Sequence, residues 1–142
     1  MSLWKKVLIG ICLLVAVAAV AIDYFSQSLP DPCDNSVVST LASPNGKTRA
    51  VVYTRDCGAT TDFVTHVSIL SSDEALNGNT ESLFAADSNK GKAPAQRGTG
   101  PEIRVKWLSD TRLEIQHHPN VRVKRSSDRF NGVAISYSTY NL

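Results

Sequence analysis

The chain has 142 residues, of which 42% are hydrophobic, and its formal net charge at pH 7 is +2. Once the apolar N-terminal run is set apart, about 110 residues remain, which is enough for one domain with a hydrophobic core and too few for two. A charge balance this close to neutral does not predict a nucleic-acid partner.

The N-terminal segment predicts export to or across a membrane. Residues 7–22 are an unbroken apolar run that Lys5 and Lys6 precede and Asp23 follows. Such a run acts as a signal or an anchor, and the lysines before it stay on the cytoplasmic side. We therefore predict that residues 1–25 enter a bacterial inner membrane, with the N-terminus in the cytoplasm and the remainder in the periplasm.

Two interpretations of this segment are open. In one, the small residues of 19–21 (Ala-Val-Ala) form a signal-peptidase site, and cleavage after Ala21 releases a periplasmic or secreted protein. In the other, which we favour, the segment remains as a single-pass anchor. Trp4 and Tyr24 flank the run, where aromatic rings meet the lipid headgroups on the two sides of a bilayer.

The next segment predicts a tether closed by a disulfide. Residues 26–36 contain Pro30 and Pro32 and show no hydrophobic period, which is typical of an extended linker. Beyond the apolar run, Cys33 and Cys57 are an even pair in a compartment that oxidises thiols. We predict a structural disulfide between them and regard a nucleophilic or redox-active Cys57 as the alternative.

Residues 37–142 predict a single all-β domain. Runs of β-branched and aromatic residues, several with alternating polar and apolar side chains, indicate about seven antiparallel strands in a meander or sandwich-like arrangement. The predicted strands are residues 37–41, 48–55, 63–70, 103–107, 112–116, 121–124 and 133–140. Residues 82–86 resemble a short edge strand within the long loop 71–101. Ser-Pro-Asn-Gly-Lys at 43–47 predicts a tight turn between the first two strands.

One stretch of the chain carries a family resemblance. Residues 55–61 (Arg-Asp-Cys-Gly-Ala-Thr-Thr), followed by Thr-His-Val-Ser-Ile at 65–69, resemble a group of small uncharacterised bacterial envelope proteins with an N-terminal hydrophobic segment. The resemblance covers residues 43–70, with a fainter similarity over 101–137. It implies no activity, cofactor or catalytic residue, because none is known for that group.

The segment 56–62 is the densest polar cluster and lies between two predicted strands. Loops held by a rigid scaffold often carry function, and these side chains suit a sugar, a cation or the backbone of a partner. The candidate binding residues are Asp56, Thr60, Thr61 and Asp62. The alternative, which we favour, is a disulfide-pinned loop whose side chains satisfy their own turn.

A second candidate surface is basic. Strand alternation places five cations opposite the apolar positions of three predicted strands. The cations are Arg104, Lys106, Arg112, Arg122 and Lys124, and the apolar positions are Ile103, Val105, Trp107, Leu113, Ile115, Val121 and Val123. If the strands are adjacent, the cations form a positive surface suited to anionic lipid headgroups, an anionic envelope polymer or an acidic protein patch. The alternative is a solvated sheet face.

No sequence pattern predicts catalysis, a cofactor or a metal site. His117 and His118 are neighbours, so in a strand they point to opposite faces and do not ligate one ion from the same surface. We predict a membrane-anchored binding or accessory protein of the cell envelope and not an enzyme. Two alternatives are open: a periplasmic immunity or inhibitor protein against a secreted toxin, and a small envelope hydrolase with a pocket around His66, His117 or Asp56.

Overall fold

A computed structural model describes residues 1–29, 32–58 and 62–141. The chain divides into two compact units, Met1–Asp31 and Pro32–Leu142. The first contains one helix, α1 (Leu3–Ser28), none of whose 26 residues is buried. A helix of that length spans about 39 Å, more than the ~30 Å hydrocarbon core of a bilayer. With a mean hydropathy of 2.6 over an 18-residue window, α1 is long and apolar enough for a membrane anchor or a signal sequence.

The predicted tether, 26–36, overlaps regular structure at both ends. Helix α1 continues to Ser28, and the first strand, β1, begins at Asp34. The helix extends beyond the apolar run because residues 23–28 contain neither Pro nor Gly, the two residues that most often end helices. Pro30 and Asp31, which the tether prediction included, lie outside the described residues.

The second unit is a β-domain, which confirms the predicted class. Across its described residues the structure has nine strands, where the sequence predicted about seven. They are β1 (Asp34–Ala42), β2 (Thr48–Asp56), β3 (Val64–Ser71), β4 (Phe84–Asp87), β5 (Ile103–Ser109), β6 (Arg112–His117), β7 (Arg122–Ser126), β8 (Arg129–Phe130) and β9 (Val133–Thr139).

The strands form two sheets whose order differs from a meander. One has five strands in the order β1-β2-β3-β4-β7, and the other has four in the order β5-β6-β9-β8. After β6 the chain leaves its sheet, adds β7 beside β4, and returns so that β9 lies parallel to β6. The prediction of a purely antiparallel domain is therefore wrong for the β6–β9 pair. A chain that crosses to another sheet is free to return to its first sheet in a parallel or an antiparallel direction.

Strand β4 is central, although the sequence predicted an edge strand over 82–86. It pairs with β3 on one side and β7 on the other, and all four of its residues are buried. The prediction was wrong because the partner on the second side, β7, lies 35 residues further along the chain at the Asp87–Arg122 pair. Local composition carries no information about so distant a partner.

The hydrophobic core includes side chains of both sheets. Val67 and Phe84 of the first sheet belong to the same buried cluster as Leu113, Ile115 and Ile135 of the second. Full burial of each large apolar side chain contributes about 1.5 to 3 kcal/mol. In β5 and β6 the predicted alternation is confirmed, since apolar positions are buried or half-buried and the basic positions between them are exposed.

Val123 departs from the predicted core and is 43% exposed. The pairing of β4 with β7 shifts register between Ala85 and Ala86, so β7 contains one extra residue opposite this point. The extra residue is Lys124, which follows Val123, and Val123 itself pairs with the buried Ala86. The exposure of Val123 therefore accompanies its place on the terminal strand of the sheet and does not come from the bulge. Val121, just before β7, is buried as predicted.

The first hairpin is closed at both ends. At the turn, the Ser43 amide donates to the Thr48 carbonyl (2.9 Å), and Gly46 takes a φ of 71°, which glycine adopts without strain. At the open end, a disulfide joins Cys33, just before β1, to Cys57, just after β2. The predicted disulfide is thus confirmed, and it holds the two chain segments together where the hairpin would otherwise fray.

Removing this disulfide is expected to lower stability by about 3 kcal/mol, because a bridge across 24 residues restricts the unfolded chain by that amount in the chain-entropy model. The measurement is the urea midpoint of full-length Cys33→Ala/Cys57→Ala in detergent. Cys12→Ala is the control, since Cys12 is a free, exposed residue of α1, and it should match the wild type. A double variant within 1 kcal/mol of the wild type would show that the hairpin does not depend on the bridge.

Candidate functional site

The most distinctive polar feature of the β-domain is the buried carboxylate of Asp87. Asp87 ends β4 with 0% exposure, and the register places it directly opposite Arg122 of β7. Arg122 Nε lies 3.1 Å from each carboxylate oxygen, and Lys124 Nζ lies 3.3 Å from Oδ2. The Asn89 amide donates to Oδ1 at 2.9 Å. One carboxylate is therefore held by two cations and a backbone amide.

This arrangement keeps Asp87 ionised in spite of its burial. Burial by itself raises the pKa of a carboxyl group, but the hydrogen bonds from Arg122, the Asn89 amide and Lys124 outweigh it and lower the pKa of Asp87 below its ordinary value. The same contact raises the pKa of Arg122. Because one carboxylate does not neutralise two cations, positive charge remains on the solvent side of the pair.

Two further cations, Arg55 and Arg125, act together with Lys124 on the same ring, that of His66. We call the four residues Arg55, Arg122, Lys124 and Arg125 the cationic cluster. Arg125 Nη1 donates to the Ser82 carbonyl at 3.0 Å and lies 3.7 Å from Glu81. In the ion pairs, the side chains of Arg122, Lys124 and Arg125 are 45% to 52% exposed. The bulge in β7 puts Arg122 and Arg125 opposite Asp87 and Ala85, which share one face of β4.

His66 lies within the field of this cluster. Its half-buried ring stacks on Tyr53, with 5.2 Å between centroids, and its Nδ1 is 3.1 Å from Ser82 Oγ. Burial, followed by the charges of Arg55, Lys124 and Arg125, lowers the pKa of His66 to about 4. The imidazole is therefore neutral at pH 7 and a weak base, which suits a packing role better than proton abstraction from Ser82.

The structure divides the five basic residues predicted as one surface. Arg122 and Lys124 belong to the five-stranded sheet, whereas Arg104, Lys106 and Arg112 belong to the four-stranded sheet. The condition that the three strands are adjacent holds for β5 and β6 but not for β7, which pairs with β4. On the second sheet the charge is partly balanced. Arg104 pairs with Glu102 at 2.7 Å, and Lys106 lies opposite Glu114 in the register.

The polar cluster over 56–62 is described only in part. Thr60 and Thr61, two of its candidate binding residues, lie outside the described residues. Asp56 Oδ1 accepts a hydrogen bond from the Gly58 amide at 3.0 Å, so this carboxylate caps its own turn. Asp62 is exposed and close enough to Arg122 to raise the pKa of that guanidinium. Among the described residues of this segment, the charge of Asp62 thus acts on one of the basic residues of β7.

The remaining histidines have separate surroundings. His117 stacks on Phe84 at 5.6 Å, whereas His118 meets the Tyr140 ring edge-on at 6.3 Å. Among the residues that the structure describes, no group of three His, Cys, Asp or Glu side chains is placed to hold a metal ion.

A cleft of about 390 Å³ opens beside the edge of the five-stranded sheet. Val38 of β1, Val52 of β2 and Ile103 of β5 line it, together with Tyr140 and residues of the loop 94–102. None of the three residues around which a hydrolase pocket was predicted, His66, His117 and Asp56, lines this cleft. Neither does the cationic cluster, so the cleft and the cluster are separate candidate sites.

Sequence reasoning missed three members of the principal site: Asp87, Arg55 and Arg125. Asp87 left a detectable signal, because a carboxylate that ends an apolar run (Leu-Phe-Ala-Ala-Asp) has to find a cation if that run is buried. Arg125 left no such signal. Strict alternation from Lys124 places Arg125 on the face opposite to Lys124, and the bulge in β7 brings it to the face that carries Asp87.

Comparisons of the chain with protein families, with curated proteins and with solved structures each found no match.

Acid is expected to destabilise the protein through His66. In the unfolded chain this histidine takes up a proton near pH 6.5, whereas in the fold it resists protonation down to about pH 4. The stability that depends on neutral His66 is therefore complete above pH 6.5 and is lost as pH falls toward 4. After allowance for partial exposure, we expect a loss of about 2 kcal/mol over this window.

The measurement is the urea midpoint of the full chain at pH 7, 5.5 and 4.5. His66→Gln should flatten this pH dependence, and His118→Gln, the matched control, should keep the wild-type slope. Parallel curves for His66→Gln and the wild type would show that burial and the neighbouring cations do not lower the pKa of His66 in the folded protein.

Proposed function

We propose that this chain is a membrane-anchored binding protein of the bacterial cell envelope, with its β-domain in the periplasm. Two features support the location. Helix α1 is apolar and long enough to span a bilayer, with Lys5 and Lys6 at its N-terminal end. The domain is closed by the Cys33–Cys57 disulfide, a bond typical of oxidising compartments.

The anchored form is favoured over a cleaved one. The helix runs without interruption past Ala21, the end of the candidate cleavage site, as far as Ser28. Trp4 lies in its first turn and Tyr24 near its other end, positions suited to the two headgroup layers. Cleavage after Ala21 remains the alternative, and the same β-domain would then be periplasmic or secreted.

The single observation that carries the binding function is the cationic cluster held by buried Asp87. Arg122 and Lys124 are fixed by a carboxylate inside the domain while about half of each side chain stays exposed. Ordered, partly exposed cations on one sheet face favour an anionic ligand, because less side-chain freedom is lost on binding. We propose that this ligand is anionic lipid headgroup or anionic envelope polymer.

The test is binding of the full chain, in neutral phosphatidylcholine nanodiscs, to phosphatidylglycerol vesicles and to polyphosphate. Lys124→Gln/Arg125→Gln removes two cluster charges and leaves the Arg122–Asp87 pair in place. At about 1 kcal/mol per basic residue near an anionic surface, we expect vesicle binding about thirtyfold weaker. Wild-type binding should also fall steeply as salt rises from 0.05 to 0.3 M, by screening.

The matched control is Lys106→Gln/Arg112→Gln, which removes the same charge from the four-stranded sheet and should change binding less than threefold. Equal losses in the two variants would mean that only net charge matters. Retained, salt-insensitive binding by Lys124→Gln/Arg125→Gln would contradict the proposal. A tight one-to-one complex with an envelope protein would instead favour the immunity or inhibitor alternative.

A further inference from the structure

Strand β1 has an edge with little of the protection that edge strands carry. It is the terminal strand of its sheet, and in the described part of the chain it pairs with β2 alone. Edge strands are usually blunted by charges, proline or bulges. Residues 35–42 contain neither charge nor proline, and Val37, Val38 and Leu41 are 56%, 60% and 41% exposed. The protection present includes the charge of Asp34 at the first position of the strand, a register shift around Val38, and a hydrogen bond from the Trp107 indole to the Leu41 carbonyl.

The 390 Å³ cleft adjoins this edge at the irregular position, since Val38 is also one of its lining residues. Its opposite wall is the loop 94–102, which approaches β3 very closely at Gly100. A Cβ placed on Gly100 would lie 2.3 Å from Thr65 Oγ1, so glycine is required for the loop to take this position. The cleft is therefore a built feature of the domain, with a strand edge along one side.

Three polar groups of the cleft, on Thr65, Tyr140 and Glu102, are already engaged within the protein. Thr65 Oγ1 donates to the Pro101 carbonyl at 2.8 Å, and the Tyr140 hydroxyl donates to the Glu102 carbonyl at 2.7 Å. The charge of Glu102 is balanced by Arg104 at 2.7 Å. A polar small molecule would thus meet few available donors and no unbalanced charge. What the site offers is apolar surface beside backbone N–H and C=O groups, which is the complement of an extended, uncharged polypeptide.

We propose that the edge of β1 and this cleft together bind a partner polypeptide in extended conformation. The partner adds to β1 as a further strand, with main-chain hydrogen bonds along the edge, and one apolar side chain enters the cleft beside Val38. Charge matching argues for an uncharged segment, because the neutral stretch 35–42 and the internally paired Glu102 and Arg104 select against net charge of either sign. The cationic cluster takes no part, so failure of either proposal leaves the other standing.

The test begins with a phage-displayed octapeptide library selected on the full chain in phosphatidylcholine nanodiscs. We expect enrichment of uncharged sequences with apolar side chains at alternate positions. One enriched peptide, synthesised with a fluorescent label, then serves as the probe for affinity measurements. In NMR exchange experiments on the wild type, the same peptide should slow exchange at least tenfold at those residues of 35–41 whose amides face the free edge, since strand addition covers these backbone donors.

Val38→Asp should raise the Kd of the labelled peptide about tenfold or more, because it places a charge at the mouth of the apolar cleft. The exposed position of Val38 makes this variant tolerable to the fold. Val123→Asp is the matched control: it makes the same change at an exposed valine on β7, at the opposite edge of the same sheet, and should leave the Kd unchanged.

Several results would overturn the proposal. Selection of charged peptides, or of no peptide, would contradict the proposed ligand chemistry. Unchanged amide exchange in β1 on peptide binding would contradict binding by strand addition. Equal effects of Val38→Asp and Val123→Asp would place the peptide elsewhere. Sedimentation of the wild type as a dimer that Val38→Asp dissociates would show that a second copy of this chain, and not a partner polypeptide, occupies the edge.

Discussion

The contact between buried Asp87 and the two cations of β7 is the interaction on which the candidate site depends. A buried carboxylate without partners would be costly enough to lose its charge or to break the sheet. Hydrogen bonds from Arg122, Lys124 and the Asn89 amide offset that cost. These contacts also fix the register, that is, which residue of β7 lies opposite each residue of β4. Buried ion pairs of this kind favour one register over its neighbours more reliably than they add stability. The position of Arg125, and with it the rest of the cationic cluster, follows from that register.

The crossing of β7 into the first sheet also shapes the rest of the domain. After β6 the chain forms β7 beside β4 in the other sheet. It then returns through β8, and β9 pairs with β6 in parallel. The five-stranded sheet thereby gains two different edges. At one edge, β7 is cationic and tied to the interior by Asp87. At the other, β1 carries no charge over residues 35–42 and is bordered by a cleft. The two edges are those to which we assign the proposed partners, an anionic surface at β7 and an uncharged extended chain at β1.

Much of the local structure was predictable from the sequence, and the tertiary pairing was not. Alternation located most strands, the Pro-Asn-Gly turn located the first hairpin, and the even cysteine pair predicted the disulfide, because each of these signals is written within a few residues. The central place of β4, the parallel β6–β9 pair and the adjacency of Asp87 to Arg122 depend on contacts between distant segments. Two basic strands with the same pattern therefore looked like neighbours, although they belong to different sheets. A single bulge in β7 was enough to move Arg125 to the face that carries Asp87.

The most direct test of the central claim, an anchored protein with its domain in an oxidising compartment, is a count of thiols in intact cells. Cells are quenched in acid, denatured, and treated with a polyethylene-glycol maleimide before or after reduction. The anchored protein has three cysteines, two of them in the disulfide, and should show one adduct before reduction, at Cys12, and three after it. Cleavage after Ala21 would remove Cys12 and give none before and two after. Three adducts without reduction would contradict the account, because the domain would then lie in a reducing compartment.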